Sequence, residues 1–406
     1  MTRIWWAAIG VLMLVSVVLR QEVLFLICVV LMLLAGAARL WAHYCLAEVH
    51  YKRRLGVRRL FFGEETDLLA EIVNAKPLPL AWLRVDDEIP VALEMVSGQP
   101  LEGHMPGRRR LVVSLSMRWY ERVTRRYRVR GSQRGVWRLG PAQLRSGDIF
   151  GFEIRRRVLA DNVDTVIVYP RMVPVQALGL PAHHPLGDQR STLRIIEDPL
   201  RLMGAREYAQ GDSYRFIHWK ATARRSSLQT KVFELSTTRP LALFLNVATA
   251  EHFFEGTDWE LREYAITAAA SIVRAAWQEQ LAVGLYVNTM VAGHNAPVRL
   301  PPRHHPNQML DLLDTLARID SFGRWPIERL VQSEARRLAF GSTVVVISAV
   351  INPRLRAVLA ELRRREYGVA LIGLGDATLD PPLPNIAYHH IGGHERWHAL
   401  DTLELV

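Results

Sequence analysis

Cysteine is scarce in this sequence of 406 residues. The two cysteines, Cys28 and Cys45, lie in or beside an apolar N-terminal region, and residues 46–406 contain none. This distribution excludes a disulfide framework and a thiolate metal cluster from residues 46–406. The sequence also lacks a nucleophile elbow, a Walker A loop and a dinucleotide-binding fingerprint, so these three catalytic or nucleotide-binding classes have no signature here.

The composition is that of a globular protein with an excess of positive charge. Half of the residues are hydrophobic, 22% are charged, and the formal net charge is +11 at pH 7. The length predicts two or three domains, each able to bury its own core. The positive charge permits anionic partners such as lipid headgroups, nucleic acid or an acidic protein.

Two apolar runs open the sequence. Residues 4–19 carry no charge, a polar turn follows at residues 20–22, and a second apolar run covers residues 23–38. We predict a transmembrane helical hairpin over residues 1–45. The first run would be about 24 Å long as a helix, which is short for a hydrocarbon core of roughly 30 Å, so its flanking arginines must reach the two interfaces.

The residues that flank the two runs predict their orientation. The aromatic side chains that match a membrane-interface belt are Trp5, Trp6, Trp41 and Tyr44. The basic residues outside the runs are Arg3, Arg39, Lys52, Arg53, Arg54, Arg58 and Arg59. By the positive-inside rule both ends, and the whole soluble body, face the cytoplasm. This predicts a two-pass protein of the bacterial inner (cytoplasmic) membrane.

A cleaved signal peptide is the competing interpretation of the N-terminal region. The small residues Ala35, Gly36 and Ala37 resemble a cleavage site. The apolar stretch before them is interrupted, and it is about twice the usual 7–15 residues of a signal-peptide core. We therefore favour the membrane hairpin.

Short β-type runs dominate residues 46–190. Turn residues separate runs rich in β-branched and aromatic side chains, which is typical of a small antiparallel sandwich. The predicted strands cover residues 68–73, 81–85, 111–116, 124–129, 135–140 and 165–169. We predict a β-sandwich domain over residues 46–190.

Eleven arginines lie between Arg108 and Arg138. Such a density permits a nucleic-acid surface, but aromatic residues do not alternate with the arginines as a stacking platform requires. Basic residues close to an anionic membrane each gain on the order of 1 kcal/mol. We favour a solvated sheet face near the membrane and expect no specific nucleic acid.

Residues 206–224 form an unusual segment. The segment reads Arg-Glu-Tyr-Ala-Gln-Gly-Asp-Ser-Tyr-Arg-Phe-Ile-His-Trp-Lys-Ala-Thr-Ala-Arg. Gly211 permits a turn, and Asp212 is a good N-cap for a short helix. On that helix Arg215 and Trp219 are four residues apart and should share a face. A strand is predicted at residues 228–235.

Predicted strands and helices alternate from residue 240 onward. The strands cover residues 241–247, 281–287, 343–347 and 369–374, and the helices cover residues 259–278, 307–319 and 353–364. A series of βαβ units predicts a doubly wound, Rossmann-like sheet. We assign this α/β domain to residues 240–406.

These features together resemble the bacterial family called domain of unknown function fifty-eight. The residues of the 206–224 segment that match it are Arg206, Tyr208, Gly211, Asp212, Arg215, Ile217, Trp219, Lys220, Ala223 and Arg224. The upstream motifs that resemble its sandwich are Arg134-Gly135, Leu139-Gly140-Pro141, Ser146-Gly147-Asp148-Ile149-Phe150-Gly151-Phe152 and Val168-Tyr169-Pro170-Arg171. The double N-terminal span is also typical of the family. Residues 191–239 are then its signature connecting segment.

The resemblance implies a von Willebrand factor A-like domain at residues 240–406. Such domains hold a metal ion through an Asp-x-Ser-x-Ser motif after the first strand. Here the chain has Asn246-Val247-Ala248-Thr249-Ala250, and Ser348-Ala349 where a further acidic ligand is expected. Magnesium usually requires one or two carboxylates. With Asn246 as a degenerate metal-site position, we predict no metal and no cofactor.

Two interpretations of the signature segment stay open. It is either a partner-docking surface or a structural connection. In the first, the docking residues are Arg206, Tyr208, Gly211, Asp212, Arg215, Trp219, Lys220 and Arg224. In the second, Asp212 and Arg215 pin a short helix, and Trp219 fills a domain interface.

One pattern near the C-terminal end resembles a catalytic motif. His394-Glu395-Arg396-Trp397-His398 matches H-E-x-x-H, which places two zinc-binding histidines on one helical face and a glutamate as base. Two glycines precede the motif and eight residues follow it, which leaves little chain to enclose a catalytic zinc ion. A zinc-dependent hydrolase using His394, Glu395 and His398 is therefore an alternative function.

We predict a membrane-anchored, non-enzymatic protein-interaction or assembly factor. The family resemblance implies that its partner is a MoxR-type AAA+ ATPase, for which this chain is the adaptor. The lipid bilayer is its other partner. The remaining alternative is a nucleic-acid-binding membrane protein that uses the arginine-rich sandwich.

Overall fold

The structure is a computed structural model that describes most of the chain. The described residues are 3–98, 100–103, 105–149, 151, 153–176, 196–209, 212, 214–236, 240–251, 255–291, 296–303, 305–319, 323–339, 341–393 and 397–404. The chain divides into two compact units, Met1–Arg171 and Met172–Val406. The boundary that we predicted between residues 190 and 191 lies outside the described residues.

The N-terminal unit begins with two helices, α1 (Arg3–Val18) and α2 (Glu22–Tyr44). Their bounds confirm that both predicted apolar runs are helical and that a short polar turn separates them. The two helices contact each other. The residues that α2 buries are small ones, namely Cys28, Ala35, Ala38 and Ala42. Small residues allow helices to approach closely in membranes.

One of these helices has the dimensions of a membrane span. Among the described residues, α2 is the helix that is long and apolar enough to cross a bilayer. Helix α1 has 16 residues, about 24 Å of length. Large apolar side chains of α2 such as Leu26 and Leu33 are exposed, as lipid-facing side chains would be. These properties support an N-terminal membrane anchor.

The strands of the N-terminal unit form three sheets. The described strands are β1 (Val49–Leu55), β2 (Arg59–Leu60), β3 (Glu65–Asn74), β4 (Leu80–Pro90), β5 (Leu93–Met95), β6 (Leu101–Glu102), β7 (Arg108–Met117), β8 (Arg122–Gly131), β9 (Gly135–Leu139), β10 (Ala142–Gly147), β11 (Ile154–Leu159) and β12 (Asp164–Val168). The sheet orders are β1-β3-β8-β5, β11-β10-β4-β7-β6 and β2-β12-β9. Each of the six predicted strands overlaps one of these, so the β-rich middle region is confirmed.

One hydrophobic core lies between the two larger sheets. Strand β3 alternates buried and less buried residues, and its inward side chains include Leu68 and Ile72. They share the core with Val85 of β4, Val113 of β7 and Leu144 of β10. The period-two pattern of these strands therefore places one face of each sheet in a common core, as in a sandwich.

A buried ion-pair cluster ties β1 to the far side of the sandwich. The Arg53 guanidinium donates from Nη1 to Asp87 Oδ1 at 2.5 Å and from Nε to Asp164 Oδ2 at 3.1 Å. Tyr51 Oη donates to Asp87 Oδ2 at 2.7 Å. Arg53, which we listed among the basic residues that flank the membrane helices, therefore also has a role inside the sandwich, because its side chain is fully buried.

Trp41 does not lie free at the membrane interface, where the sequence predicted it as part of an aromatic belt. Its ring packs against the sandwich core, because the last turns of α2 run directly into that core. Tyr44 is exposed and remains available to a lipid interface. The side chains of Trp5 and Trp6 lie outside the described ones.

The C-terminal unit contains an antiparallel hairpin and a six-stranded sheet. Its described elements are β13 (Val175–Gln176), β14 (Ile196–Glu207), α3 (Trp219–Arg225), β15 (Gln229–Ser236), β16 (Leu241–Leu245), α4 (Trp259–Gln278), β17 (Val283–Val287), β18 (Val298–Arg303), α5 (Gln308–Ala317), α6 (Ile327–Ala335), β19 (Thr343–Ser348), α7 (Pro353–Arg364), β20 (Gly368–Gly373), β21 (Ala387–His390) and β22 (Leu403–Glu404). Strands β14 and β15 pair with each other, as do β13 and β22.

The sheet order is β18-β17-β16-β19-β20-β21, and only β18 runs antiparallel to its neighbour. Helices α6 and α7 share a core with inward residues of the central strands, among them Phe244 and Val346. Helix α4 contacts the same strands, but its buried residues lie outside that core. Helices therefore cover both faces, as the predicted doubly wound sheet requires.

Candidate functional site

The described residues of the 206–224 segment lie at the end of β14 and in the connection from β14 to β15. The Tyr208 N–H donates to the Leu228 carbonyl at 2.8 Å, and the His218 N–H donates to the Gln229 carbonyl at 2.7 Å. Ile217 is buried and forms a bridge with Thr230. These backbone bonds hold the short helix α3 against the start of β15, so the segment has its own hydrogen-bonded frame.

Asp212 closes a turn in this segment. Its Oδ1 accepts from Arg206 Nη2 at 2.7 Å, and its Oδ2 accepts from the Ala209 N–H at 3.0 Å. The hydrogen bond from Arg206, together with that from Ala209, holds the pKa of Asp212 below its ordinary value. The carboxylate is therefore kept ionised, and it fixes the direction of the Arg206 guanidinium. Gly211 lies outside the described residues.

We predicted Asp212 as the N-cap of the helix, and this was wrong. The cap of α3 is His218, whose Nδ1 accepts from the Ala221 N–H at 3.2 Å. Arg215 lies in a separate 3-10 turn, Tyr214–Phe216. Arg215 and Trp219 are thus not one turn apart on a single helix. The sequence pattern missed this because His is a less common cap than Asp.

The surface of α3 is aromatic and cationic. Trp219 is 68% exposed and the preceding Tyr214 is 72% exposed. Lys220 and Arg224 are four residues apart on the helix, both are exposed, and they lie on one face. The exposed indole favours the docking interpretation of this segment over the one in which Trp219 is packed. We call Tyr214, Trp219, Lys220 and Arg224 the signature surface.

Tyr214 of the signature surface stacks on the ring of Tyr208. Tyr208 and Tyr214 lie with their ring centroids 5.6 Å apart and their planes 21° from parallel. The hydrogen bond with Tyr214 raises the pKa of Tyr208. The stack therefore orders Tyr214 although its ring is open to solvent. Arg206 and Tyr208, which the sequence singled out, contact Asp212 and Tyr214 of the same segment.

A second candidate site is a cleft at the carboxyl ends of the sheet strands. The sheet order reverses between β16 and β19, and ligands of doubly wound sheets bind at such a reversal. The cleft has a volume of about 630 Å³, and its lining includes Asn246, Asn288, Arg324 and Arg354. Asn246 follows β16, so the position that the sequence singled out does lie in a cleft.

The floor of this cleft is a closed hydrogen-bond network. Asn246 Oδ1 accepts from Asn288 Nδ2 at 2.7 Å and from the Ala248 N–H at 3.1 Å. Asn246 Nδ2 donates to Ser348 Oγ at 2.8 Å. Ser348 Oγ in turn donates to the Val350 carbonyl at 2.6 Å. Asn288 was not singled out from the sequence, because only the pairing of β17 with β16 brings it to Asn246.

This network does not fit a magnesium ion. Two N–H donors already occupy Asn246 Oδ1, and in the part of the chain that the structure describes no carboxylate bonds to Asn246, Asn288 or Ser348. Magnesium in proteins usually takes at least one carboxylate. A bound ion would have to displace both donors. The chemistry of these side chains therefore argues against the metal ion that von Willebrand factor A domains hold at this position.

We expect no magnesium binding at micromolar affinity. Isothermal titration calorimetry of the purified full-length protein in detergent would measure it. Asn246→Ala is the control, since any heat that persists in this variant arises elsewhere. A micromolar signal that disappears in Asn246→Ala would contradict our prediction.

The predicted zinc motif is only partly visible. His394 and Glu395 lie outside the described residues, whereas His398 lies in the 3-10 turn Trp397–Ala399. Among the described residues, no group of three or more His, Cys, Asp or Glu side chains is placed to hold a metal ion. The H-E-x-x-H motif requires both histidines on one face of a helix. The 3-10 turn at His398 therefore does not support a zinc site here.

The arginine-rich strand β8 forms an ion-pair ladder with β3. Arg126 bonds to Asp67 at 2.5 Å and Arg130 bonds to Glu65 at 2.5 Å. Arg122 also pairs with Glu71. A surface that binds nucleic acid needs cations open to phosphates, and these arginines already have carboxylate partners. The ladder therefore favours a solvated sheet face.

Residues 204–391 match the family model described as "Protein of unknown function DUF58". A DUF58 domain is present in this part of the chain. The match starts inside β14 and ends just after β21, so it contains the signature surface, the cleft and the whole six-stranded sheet.

The chain is also similar to the uncharacterized protein YeaD of Bacillus subtilis (strain 168). The two are 24% identical over 257 residues, which cover 61% of this chain. The chain spans 58% of the length of that curated relative. Because that relative is itself uncharacterized, the similarity assigns no activity to this chain.

Solved structures show only weak likeness. The CARDB domain of the PF1109 protein from Pyrococcus furiosus is 11% identical, with a TM-score of 0.20 and coverage of 30% of this chain and 91% of that one. Trypsin-activated alpha-2-macroglobulin from Escherichia coli is 18% identical, with a TM-score of 0.22 and coverage of 34% and 9%. TM-scores this low establish neither a fold nor a function for this chain.

Proposed function

We propose that this chain is a membrane-anchored, non-enzymatic interaction or assembly factor whose signature surface binds a protein partner. The observation that carries the proposal is the exposed Trp219 beside Lys220 and Arg224 on α3. Tryptophan, tyrosine and arginine are the residues most enriched among those that carry the binding energy of protein interfaces. The internal frame of the hairpin supports it further, because a preorganised surface loses less entropy on binding.

The partner that we propose is a MoxR-type AAA+ ATPase, with this chain as its adaptor. The support for that choice is the family resemblance carried by the 206–224 segment. The positive signature surface calls for an acidic patch on the ATPase. The six-stranded sheet, with its antiparallel edge strand β18 and with Asn246 at the strand reversal, supports a von Willebrand factor A-like domain as the second binding face.

The proposed location is the bacterial inner (cytoplasmic) membrane, crossed twice. Helix α2 has the length to span it, and α1, which contacts α2, would cross as part of the same hairpin. The exposed Lys52, Arg54, Arg58 and Arg59 support a cytoplasmic position of the soluble body under the positive-inside rule. An ATP-driven partner would reach the signature surface there.

Trp219→Ala should weaken capture of the ATPase at least about tenfold, the usual loss when an interface tryptophan is truncated. The measurement is affinity purification from detergent-solubilised membranes with and without ATP, followed by quantification of the AAA+ protein. Lys220→Glu should lower capture as well, because it reverses charge on the same surface.

Arg364→Glu is the matched control for the charge reversal. Arg364 is exposed at the end of α7 that points away from the cleft at Asn246, and it is also far from the signature surface in the sequence. This variant should therefore capture the ATPase normally. If Trp219→Ala and Lys220→Glu capture as much ATPase as the unmodified chain, the signature surface is not the docking site. If no AAA+ ATPase is recovered in repeated experiments, the adaptor role is wrong.

A further inference from the structure

Two described turns of the sandwich lie at the end where α2 stops. Strand β1 starts at Val49 beside Asn74 of β3, and β3 meets β8 through Val73 and Arg122. In the other sheet Leu80 of β4 lies opposite Met117 of β7. The turns at residues 75–79 and 118–121 therefore both belong to the end of the unit that follows the membrane helix.

Two cations of the sandwich bond to carbonyl groups of the short connection that follows α2 and of the first residue of β1. Lys76 Nζ donates to the Cys45 carbonyl at 2.8 Å and to the Ala47 carbonyl at 2.7 Å. Arg157 donates to the Leu46 carbonyl at 2.9 Å and also to the Val49 carbonyl. Burial lowers the pKa of Lys76 to about 8. The two cations lie near the negative end of the α2 dipole, which favours positive charge. Their hydrogen bonds attach the sandwich directly to the residues that follow the helix.

The turn at residues 118–121 presents two adjacent aromatic side chains at this end. Trp119 is 65% exposed and Tyr120 is 68% exposed. The Tyr120 N–H donates to the Lys76 carbonyl at 3.2 Å. Asn74 Nδ2 donates to the Arg118 carbonyl at 2.8 Å. The aromatic turn is thus held through Lys76 at the level of residues 45–47, where the helix ends.

The distance from this level to the hydrocarbon core is short. The apolar run of α2 ends at residue 38, and residues 39–44 are the remainder of the helix. Six residues of helix span about 9 Å. The polar layer of a bilayer is roughly 5–8 Å thick on each side. The end of α2 therefore lies at the outer edge of the headgroup layer, within reach of side chains as long as those of Trp119 and Tyr120.

From this geometry we infer that Trp119 and Tyr120 bind the headgroup layer of the bilayer that α2 crosses. This inference rests on the membrane anchor of the proposed function. Tryptophan and tyrosine favour that layer because an apolar ring and a polar N–H or O–H both find partners there. The contact would give the sandwich a second attachment and so fix its tilt relative to the membrane. Charged residues of both signs also lie at this end, so the contact does not depend on anionic lipid; they are Glu48, Arg118, Glu121, Glu153 and Arg155.

Spin labels at single cysteines of the reconstituted full-length protein test the inference. The background variant replaces Cys28 and Cys45 with alanine, and labels are attached at Trp119→Cys and, separately, at Tyr120→Cys. Leu33→Cys reports the bilayer interior, since Leu33 is an exposed side chain near the middle of α2. Met105→Cys is the matched control, because Met105 is 62% exposed in the turn before β7, at the other end of the sandwich.

The measurement is the collision rate of each label with water-soluble nickel chelate and with oxygen, in liposomes. We expect the label at residue 119 or 120 to collide several-fold less with nickel than the label at residue 105, and more than the label at residue 33. If the labels at residues 119 and 120 match residue 105 while residue 33 is shielded, the lipid contact is wrong and the anchor stands. If residue 33 is also open to nickel, the anchor itself fails and the inference falls with it.

Discussion

Arg53→Met is expected to destabilise the sandwich by about 3–5 kcal/mol, the cost of leaving a buried charge without its partner. Arg53 joins Asp87 and Asp164, and it also donates to the carbonyl groups of Leu139 and Asn162 at 3.1 and 2.9 Å. The Asp87 side chain is almost fully buried. After the substitution, Tyr51 would be its remaining hydrogen-bond donor among the described residues.

The destabilisation by Arg53→Met should depend on pH. Burial raises the pKa of Asp87 even with Arg53 in place, and removing Arg53 raises it further. Because the folded state then holds this proton more tightly than the unfolded state, stability falls as pH rises from below the unfolded pKa of Asp through the folded one. The variant should therefore be closest to the unmodified protein near pH 4, about the unfolded pKa of Asp, and furthest from it at neutral pH.

Denaturant unfolding of the purified protein in detergent, followed by intrinsic fluorescence, measures both effects. Arg126→Met is the matched control. Arg126 also bonds to a carboxylate, Asp67, but the pair is exposed, and exposed pairs contribute little to stability. If both variants lose a similarly small amount of stability, burial does not determine how much the Arg53 cluster stabilises the sandwich.

Asn246→Ala is expected to lower stability by about 2–4 kcal/mol, because it leaves several buried polar groups without partners. Asn246 is buried, and its amide bonds to Asn288, Ala248 and Ser348. These groups belong to three separate chain segments that meet at the reversal of strand order. Their loss of partners should loosen the cleft and the carboxyl ends of the central strands β16 and β19.

Asn352→Ala provides the matched control for that substitution. Asn352 lines the same cleft, but its side chain only caps α7 by accepting from the Leu355 N–H at 2.8 Å. Loss of such a cap costs about 1 kcal/mol. Thermal unfolding of the two variants should separate them, and an equal loss of stability would contradict a structural role for the amide network.

Much of the fold could be predicted from local pattern. The bounds of α4 and α7 agree with the predicted helices, because each has an apolar stripe at helical spacing and an Asp or Asn cap. Strand β3 alternates with period two, and β16 is a continuous apolar run buried on both faces. Strand β18, helix α6 and strand β21 were not predicted, since short amphipathic pieces carry a weak signal.

The candidate sites also show which features local sequence can predict and which it cannot. The residues of the 206–224 segment were found from sequence because they are close together in the chain. Their arrangement was not, since the cap of α3 depends on His218 reaching the Ala221 N–H. Trp119 and Tyr120 were passed over among the arginines, because nothing local says that their turn lies beside Lys76 at the end of α2.

The sequence by itself determined the apolar helix, the β-rich region, the α/β alternation and the signature residues, all of which depend on neighbours within a few turns of chain. Only the tertiary structure decided that Arg53 is an internal ion-pair partner, that Asn246 belongs to an amide network, and that Trp219 is open to solvent. It also brought the aromatic turn to the end of α2. The physical reason is that burial and pairing depend on groups distant in sequence: Arg53 and Asp164 are brought together across 111 positions of chain.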